Sequence, residues 1–241
     1  MGPHDIAGYP TELASPYKFK ASPYSSHSLL LALLPPSPGG GQRVLDVGCG
    51  PGYLCEALRD RGYSVTGIER PGWGPPAGAQ GFELVEADLE HGLPPIEGRF
   101  NAIICADVLE HLRNPESLLR QLRGLLAPRG RLIASLPNSG HLYFRLVVLS
   151  GRFPKEEKGL FDRTHVHFFT WDGWSELLRS SGFAVREVFP TGVPVRLAYP
   201  GREENFGVRT AERLSCLFAR IRKQVFAYQF VVSAAARKES E

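Results

Sequence analysis

The chain has 241 residues, 43% apolar and 22% charged, which suits one soluble domain with a full hydrophobic core. A formal charge of +3 is too small to argue by itself for a nucleic-acid partner. The longest apolar stretch, HLYFRLVVLSGRF, is interrupted by Arg145 and is shorter than the roughly 20 residues that cross a bilayer. Cys49, Cys55, Cys105 and Cys216 form no C-x-x-C pair and no zinc-type spacing. With no basic start and apolar core at the N-terminus, the expected setting is a reducing, cytoplasmic one.

In chain order, residues 1–41 read as an N-terminal helical segment whose one helix, SPYSSHSLLLALL, is closed by PPSPGGG. Residues 42–241 then alternate short β-rich runs with helical patterns. RVLDVG, SVTGIE, FELVEAD, NAIICAD and RLIASLP are predicted strands, and YLCEALRDRG and NPESLLRQLRGLLAPRG predicted helices. In the second helix Asn114 caps, Pro115 fits the first turn, and Leu118, Leu119, Leu122, Leu125 and Leu126 recur at helical spacing. Continuous apolar strands between helices imply an α/β fold with a mostly parallel sheet covered on both faces, with ligands at the carboxyl ends of the strands.

Residues 137–170 are too long for a simple connection and are expected to be an insertion shaping an acceptor site. A helix WDGWSELLRSSG, a strand FAVREVFP, a basic amphipathic helix around RTAERLSCLFARIRK and a last strand FAYQFVVSAAA complete the pattern.

The most informative stretch is VLDVGCGPGYL. Glycines after a strand let backbone N–H groups approach a ligand, and the following helix adds its positive end. Gly48, Gly50 and Gly52 stand at every second position, and Tyr53 occupies the place where a dinucleotide fingerprint wants glycine. Asp46 is expected to put a carboxylate at the mouth of the loop, repelling a pyrophosphate and favouring a cationic ligand.

With LDVGCGPG, VTGIER, VEADLE, NAIICADVLEHL and LLAPRGRLIASLPN in this order, the chain resembles the class I S-adenosylmethionine-dependent methyltransferases. The resemblance implies a Rossmann-like seven-stranded sheet and S-adenosylmethionine as cofactor. It places Asp46, Gly48, Cys49, Gly50 and Gly52 in the cofactor loop, Glu69 on the ribose hydroxyls with Arg70 beside it, and Asp88, Leu89 and Ala106 around the adenine. Asp46 then opposes the cofactor's cationic ammonium and sulfonium.

Two constellations compete for catalysis. DVLEH offers Asp107, Glu110 and His111, a stretch resembled by the ubiquinone-biosynthesis O-methyltransferases, where it is linked to a divalent metal. The same stretch also occurs in relatives that use none, and the metal is not favoured here. LFDRTHVHFFT offers Asp162, Arg163, His165 and His167; if it is extended, His165 and His167 share one face and Thr164 the other. Similarity to a bacterial small-molecule or polysaccharide-pathway group implies His165 as base or substrate ligand, oriented by Asp162. The alternative is an ion-pair lock of Asp162, Arg163 and His165, with His167 packing.

The expected reaction is methylation of a small-molecule hydroxyl on a sugar, polyketide or other natural product. A quinone or lipid-linked acceptor, with peripheral membrane contact through HLYFRLVVL and the basic C-terminal helix, is the alternative. A non-catalytic binding protein is a further one. The absence of an Asn/Asp-Pro-Pro-aromatic run after the fourth strand counts against nucleic-acid bases. Acceptor identity and oligomeric state are not written in the sequence.

Overall fold

The computed structural model describes residues 22, 24–37, 39–75, 81–198, 201 and 205–237. The elements are α1 (Ser26–Ala32), β1 (Arg43–Val47), α2 (Tyr53–Arg59), β2 (Ser64–Glu69), β3 (Glu83–Glu86), β4 (Phe100–Ala106), α3 (Pro115–Leu125), β5 (Leu126–Pro137), α4 (Leu142–Leu149), α5 (Trp171–Ser180), β6 (Phe183–Pro190), α6 (Val195–Ala198), α7 (Phe206–Ile221), α8 (Lys223–Phe226) and β7 (Gln229–Ala236). Single 3-10 turns, Leu89–His91 and Leu109–His111, follow β3 and β4.

The seven strands are ordered β3-β2-β1-β4-β5-β7-β6, and β7 is antiparallel to both its neighbours while the other pairings are parallel. Apolar residues alternate between two cores on opposite faces of the sheet, as the period of two requires. Leu45, Val47, Ile103, Cys105, Leu132 and Phe230 pack with α3 and α5. Val44, Ala102, Ile104, Ile133 and Val231 face α1 and α2 on the other side. Helix α1 is thus part of the same packed body, with Leu30, Leu31 and Leu34 buried. The strand order reverses between β1 and β4, which opens a crevice at their carboxyl ends.

Asn114 caps α3 by accepting from Ser117 N at 3.0 Å, as expected. The helix does not run to Gly130, however; it stops at Leu125 and β5 begins at Leu126. Pro128 has no N–H for a further helical turn, and Arg129 sits at φ 64°, which a helix does not allow.

After β5, Asn138 is fully buried and ties the chain down: its Nδ2 donates to Ala227 O at 2.7 Å, and its Oδ1 accepts from Gly140 N at 2.9 Å. The 137–170 stretch contains α4 and a long loop with a bridge between Glu156 and Asp162. Phe144 stacks on Phe161 at 4.5 Å, while Phe153 and Phe168 meet edge-on at 5.1 Å.

Candidate functional site

Loop 48–52 leaves β1 over the edge of β2, with Gly48 N and Cys49 N both donating to Ile68 O, at 2.8 and 3.0 Å. Gly48 has φ 71°, and a Cβ there would lie 2.7 Å from Val108 Cγ2, so this position demands glycine on two counts. Gly50 is different: φ is 53°, and a Cβ would meet nothing within 4 Å, so the loop presents bare backbone to open space. Its N–H donates to Glu69 Oε2 at 2.6 Å, and Arg70 N donates to Glu69 Oε1 at 2.8 Å. The carboxylate ending β2 is therefore held against the loop, with lone pairs left on both oxygens.

Asp46 is not at the loop's mouth. In the pleat it points to the α2 side, beneath the loop, and only 1% of it is exposed. Cys55 Sγ donates to its Oδ2 at 3.3 Å, whereas its buried Oδ1 has no hydrogen-bond partner among the described residues. Burial, reinforced by the charge of Glu69 and opposed by the Cys55 bond, pushes its pKa up to about 7. Asp88, beyond β3, accepts from Glu90 N at 3.1 Å and so caps the 3-10 turn that begins at Leu89. Arg70 lies 3.8 Å from it, and Ala106, half-buried, ends β4 nearby in the same row of strand ends.

On the other flank of the crevice, the turn after β4 meets the 162–167 segment. Val166 N and His167 N donate to Glu110 O at 2.9 and 3.2 Å, docking that segment on the turn. The segment lies outside the seven strands of the sheet. Thr164 faces His111, its Oγ1 2.9 Å from Nδ1, and also donates to Asp162 Oδ1 at 2.6 Å. A hydroxyl has one proton; given to Asp162, it leaves the His111 Nδ1–H as donor and places the imidazole lone pair on Nε2. Asp162 therefore serves His111 through Thr164, and its backbone carbonyl also accepts from His165 N at 3.1 Å. Glu110 Oε1 stands 4.0 Å from His165 Nε2, with both side chains buried. The two imidazoles are edge-to-face at 4.8 Å. Burial first, then the neighbouring His111, lowers His165 to about 4. Arg163 pairs with Glu157 at 3.1 Å. His167 stacks on Phe169 at 5.0 Å, the packing role expected of it.

Asp107 is also removed from the trio that the sequence grouped with a metal. At φ 55° it turns toward β5 and β7, where its Oδ1 accepts from Ser135 Oγ at 2.5 Å and Gln229 Nε2 at 2.7 Å. Instead Glu110, His111 and His165 bring one ligand atom each within 4.8 Å of one another. Two imidazoles and a carboxylate suit a divalent transition metal better than magnesium.

The family model described as "Methyltransferase domain" matches residues 21–188. The chain belongs to the S-adenosylmethionine-dependent methyltransferases. It is 31% identical over 159 residues to a ubiquinone biosynthesis O-methyltransferase of Pseudomonas aeruginosa, an alignment spanning 61% of this chain and 67% of that one. Among solved structures, the methyltransferase fold resembles a putative methyltransferase from Haloferax volcanii solved with the Trm112 activator, with TM-score 0.61, 19% identity and 88% and 89% of the two chains covered. It also resembles magnesium protoporphyrin IX methyltransferase from Synechocystis PCC 6803 with bound S-adenosylhomocysteine, with TM-score 0.54, 19% identity and 88% and 82% covered.

The cofactor of the methyltransferase is S-adenosylmethionine, which supplies a methyl group on a positively charged sulfur. The donor set fits such a molecule. A buried carboxylate oxygen lacking a donor, bare loop backbone at Gly50 and a carboxylate at the end of β2 suit an ammonium, a close-packed chain and a pair of hydroxyls. Sequence reasoning missed Thr164, Ser135 and Gln229; no local pattern marks them, because each acts on a residue distant in the chain.

Proposed function

We propose that the methyltransferase methylates a hydroxyl of a small molecule, with His111 as the proton acceptor. The carrying observation is the Asp162–Thr164–His111 chain, which fixes one imidazole tautomer and aims its charge toward a buried carboxylate. Methyl transfer is an in-line displacement, so the protein's part is alignment, exclusion of water and removal of the acceptor's proton. His111 Nε2 takes that proton; Asp162, through Thr164, stabilises the imidazolium. His165, neutral at pH 7, bounds the acceptor beside Phe168, whose ring centroid is 6.0 Å away.

In this reading Asp46 holds the cofactor's ammonium, the 48–52 backbone its chain, Glu69 its ribose, and Asp88, Leu89 and Ala106 its adenine. Residues 42–241 form the catalytic domain, with 137–170 as the acceptor-site insertion. The ring cluster of Phe144, Phe153, Phe161 and Phe168, and the name of the Pseudomonas relative, support an aromatic hydroxyl ahead of a sugar. The test is release of S-adenosylhomocysteine with catechols, hydroxylated polyketides and sugars in parallel; turnover of amines alone would refute O-methylation.

A second reading rests on the Glu110, His111 and His165 grouping, which would hold a divalent metal able to acidify an acceptor hydroxyl. It competes with the first for His111.

A further inference from the structure

Helix α7 is packed the wrong way round for a helix of a soluble domain. The side it buries carries Glu212, Cys216 and Ala219, while its large apolar residues point outward. Phe206 is 83% exposed, Leu214 47%, Leu217 52%, Phe218 49% and Ile221 69%. At about 100° per residue these five span a stripe of roughly 120°, opposite the buried side. Core packing does not account for it.

The charges of α7 are as one-sided as its apolar surface. Its single acid, Glu212, is buried, 2.9 Å from Arg196 Nε and 3.1 Å from Ser22 Oγ. Arg213 and Arg220 are exposed along one edge of the stripe, and Arg222 is exposed just past the helix end. A second outward stripe lies on α4, where Leu142, Leu146 and Leu149 recur at helical spacing and are all exposed. Asn138, four residues before α4, donates its amide to the carbonyl of Ala227 directly after α8.

We propose that α7 docks flat on an anionic lipid surface. No helix among the described residues is long and apolar enough to cross a membrane, so the contact is interfacial. Apolar side chains enter the headgroup boundary and the arginines meet lipid phosphates. A second copy is a poorer occupant: a contact between two such faces would bury Arg213 and Arg220 with no exposed acid on either α7 to pair them. Membrane docking is independent of the acceptor's identity, and the two are measured separately.

The experiment is sedimentation of the full chain with phosphatidylcholine vesicles, with and without phosphatidylglycerol. Binding to the anionic vesicles, weakening as salt is raised, is expected. Leu217→Ser with Ile221→Ser should lower partitioning by about tenfold or more, and Arg213→Glu with Arg220→Glu should abolish the preference for anionic lipid. Both variants should keep the parent Tm in the absence of vesicles. Three results would each overturn the proposal: no sedimentation with anionic vesicles; a dimer, dissolved by the Leu217 and Ile221 changes, in place of vesicle binding; or a marked fall in Tm for that variant, meaning that the protein itself covers the stripe.

Discussion

Thr164 and His111 are 53 positions apart, yet their Oγ1 and Nδ1 atoms meet at 2.9 Å and join the turn after β4 to the long 137–170 stretch. Because Thr164 touches the proposed base, His111, and not the reacting atoms, its role in that proposal is a positioning one. Thr164→Val should lower kcat by about tenfold to a hundredfold, leaving donor affinity and acceptor KM near the parent values. Thr164→Ser should restore most of the rate. Steady-state kinetics on both variants checks this, and an unchanged kcat in Thr164→Val would remove the relay.

With Asp46 as the proposed partner of the cofactor's ammonium, affinity should depend on pH. Its carboxyl is held at about 7 by burial, and an ammonium is attracted only to the ionised form. Calorimetric affinity for S-adenosylmethionine should therefore rise between pH 5 and 7, approaching tenfold per unit at the acid end, and level off above. Asp46→Asn should bind weakly at every pH in this range, with a flat profile.

The same shift has a stability counterpart. A folded pKa raised from 3.8 to about 7 favours the folded state at low pH, and that contribution is lost as pH rises through 7. Without ligand, Asp46→Asn should be more stable than the parent at pH 8, by on the order of 2–4 kcal/mol. The advantage should vanish near pH 4. Denaturant titrations at the two pH values decide it.

His165 acts in the opposite sense. With its pKa lowered from 6.5 to about 4, its contribution is fully present above pH 6.5 and is lost as pH falls toward 4. Replacing it by Asn should flatten the parent's acid limb by up to roughly 3 kcal/mol, the equivalent of that shift. Since Asp46 runs the other way over this interval, only the difference between parent and variant isolates each group.

Glu69 presents two oxygens to the crevice from the end of β2. Glu69→Gln keeps the shape and loses the charge, so donor affinity should fall about tenfold to a hundredfold, the worth of a charge-assisted hydrogen bond. Normal affinity in both Glu69→Gln and Asp46→Asn would disprove the assignment of this crevice to the cofactor. Dialysis against EDTA should leave turnover unchanged; a loss restored by zinc or manganese would instead place a metal on Glu110, His111 and His165.

What the sequence determined by itself is what adjacent residues settle among themselves. The apolar run of β1, the glycines after it, the acid ending β2 and the Asn114 cap are local matters, and the parallel sheet follows from apolar strands that need cover on both faces. Only the tertiary structure decided which way side chains face and whom they meet. Asp46 goes under the loop because the pleat turns it toward α2. Asp162 reaches His111 through Thr164 because the 162–167 segment docks on the carbonyl of Glu110. Helix α7 shows its apolar side to solvent because small residues and a paired acid fit its contact with the sheet. Periodicity reveals that a helix has two faces, and packing alone chooses the one that is buried.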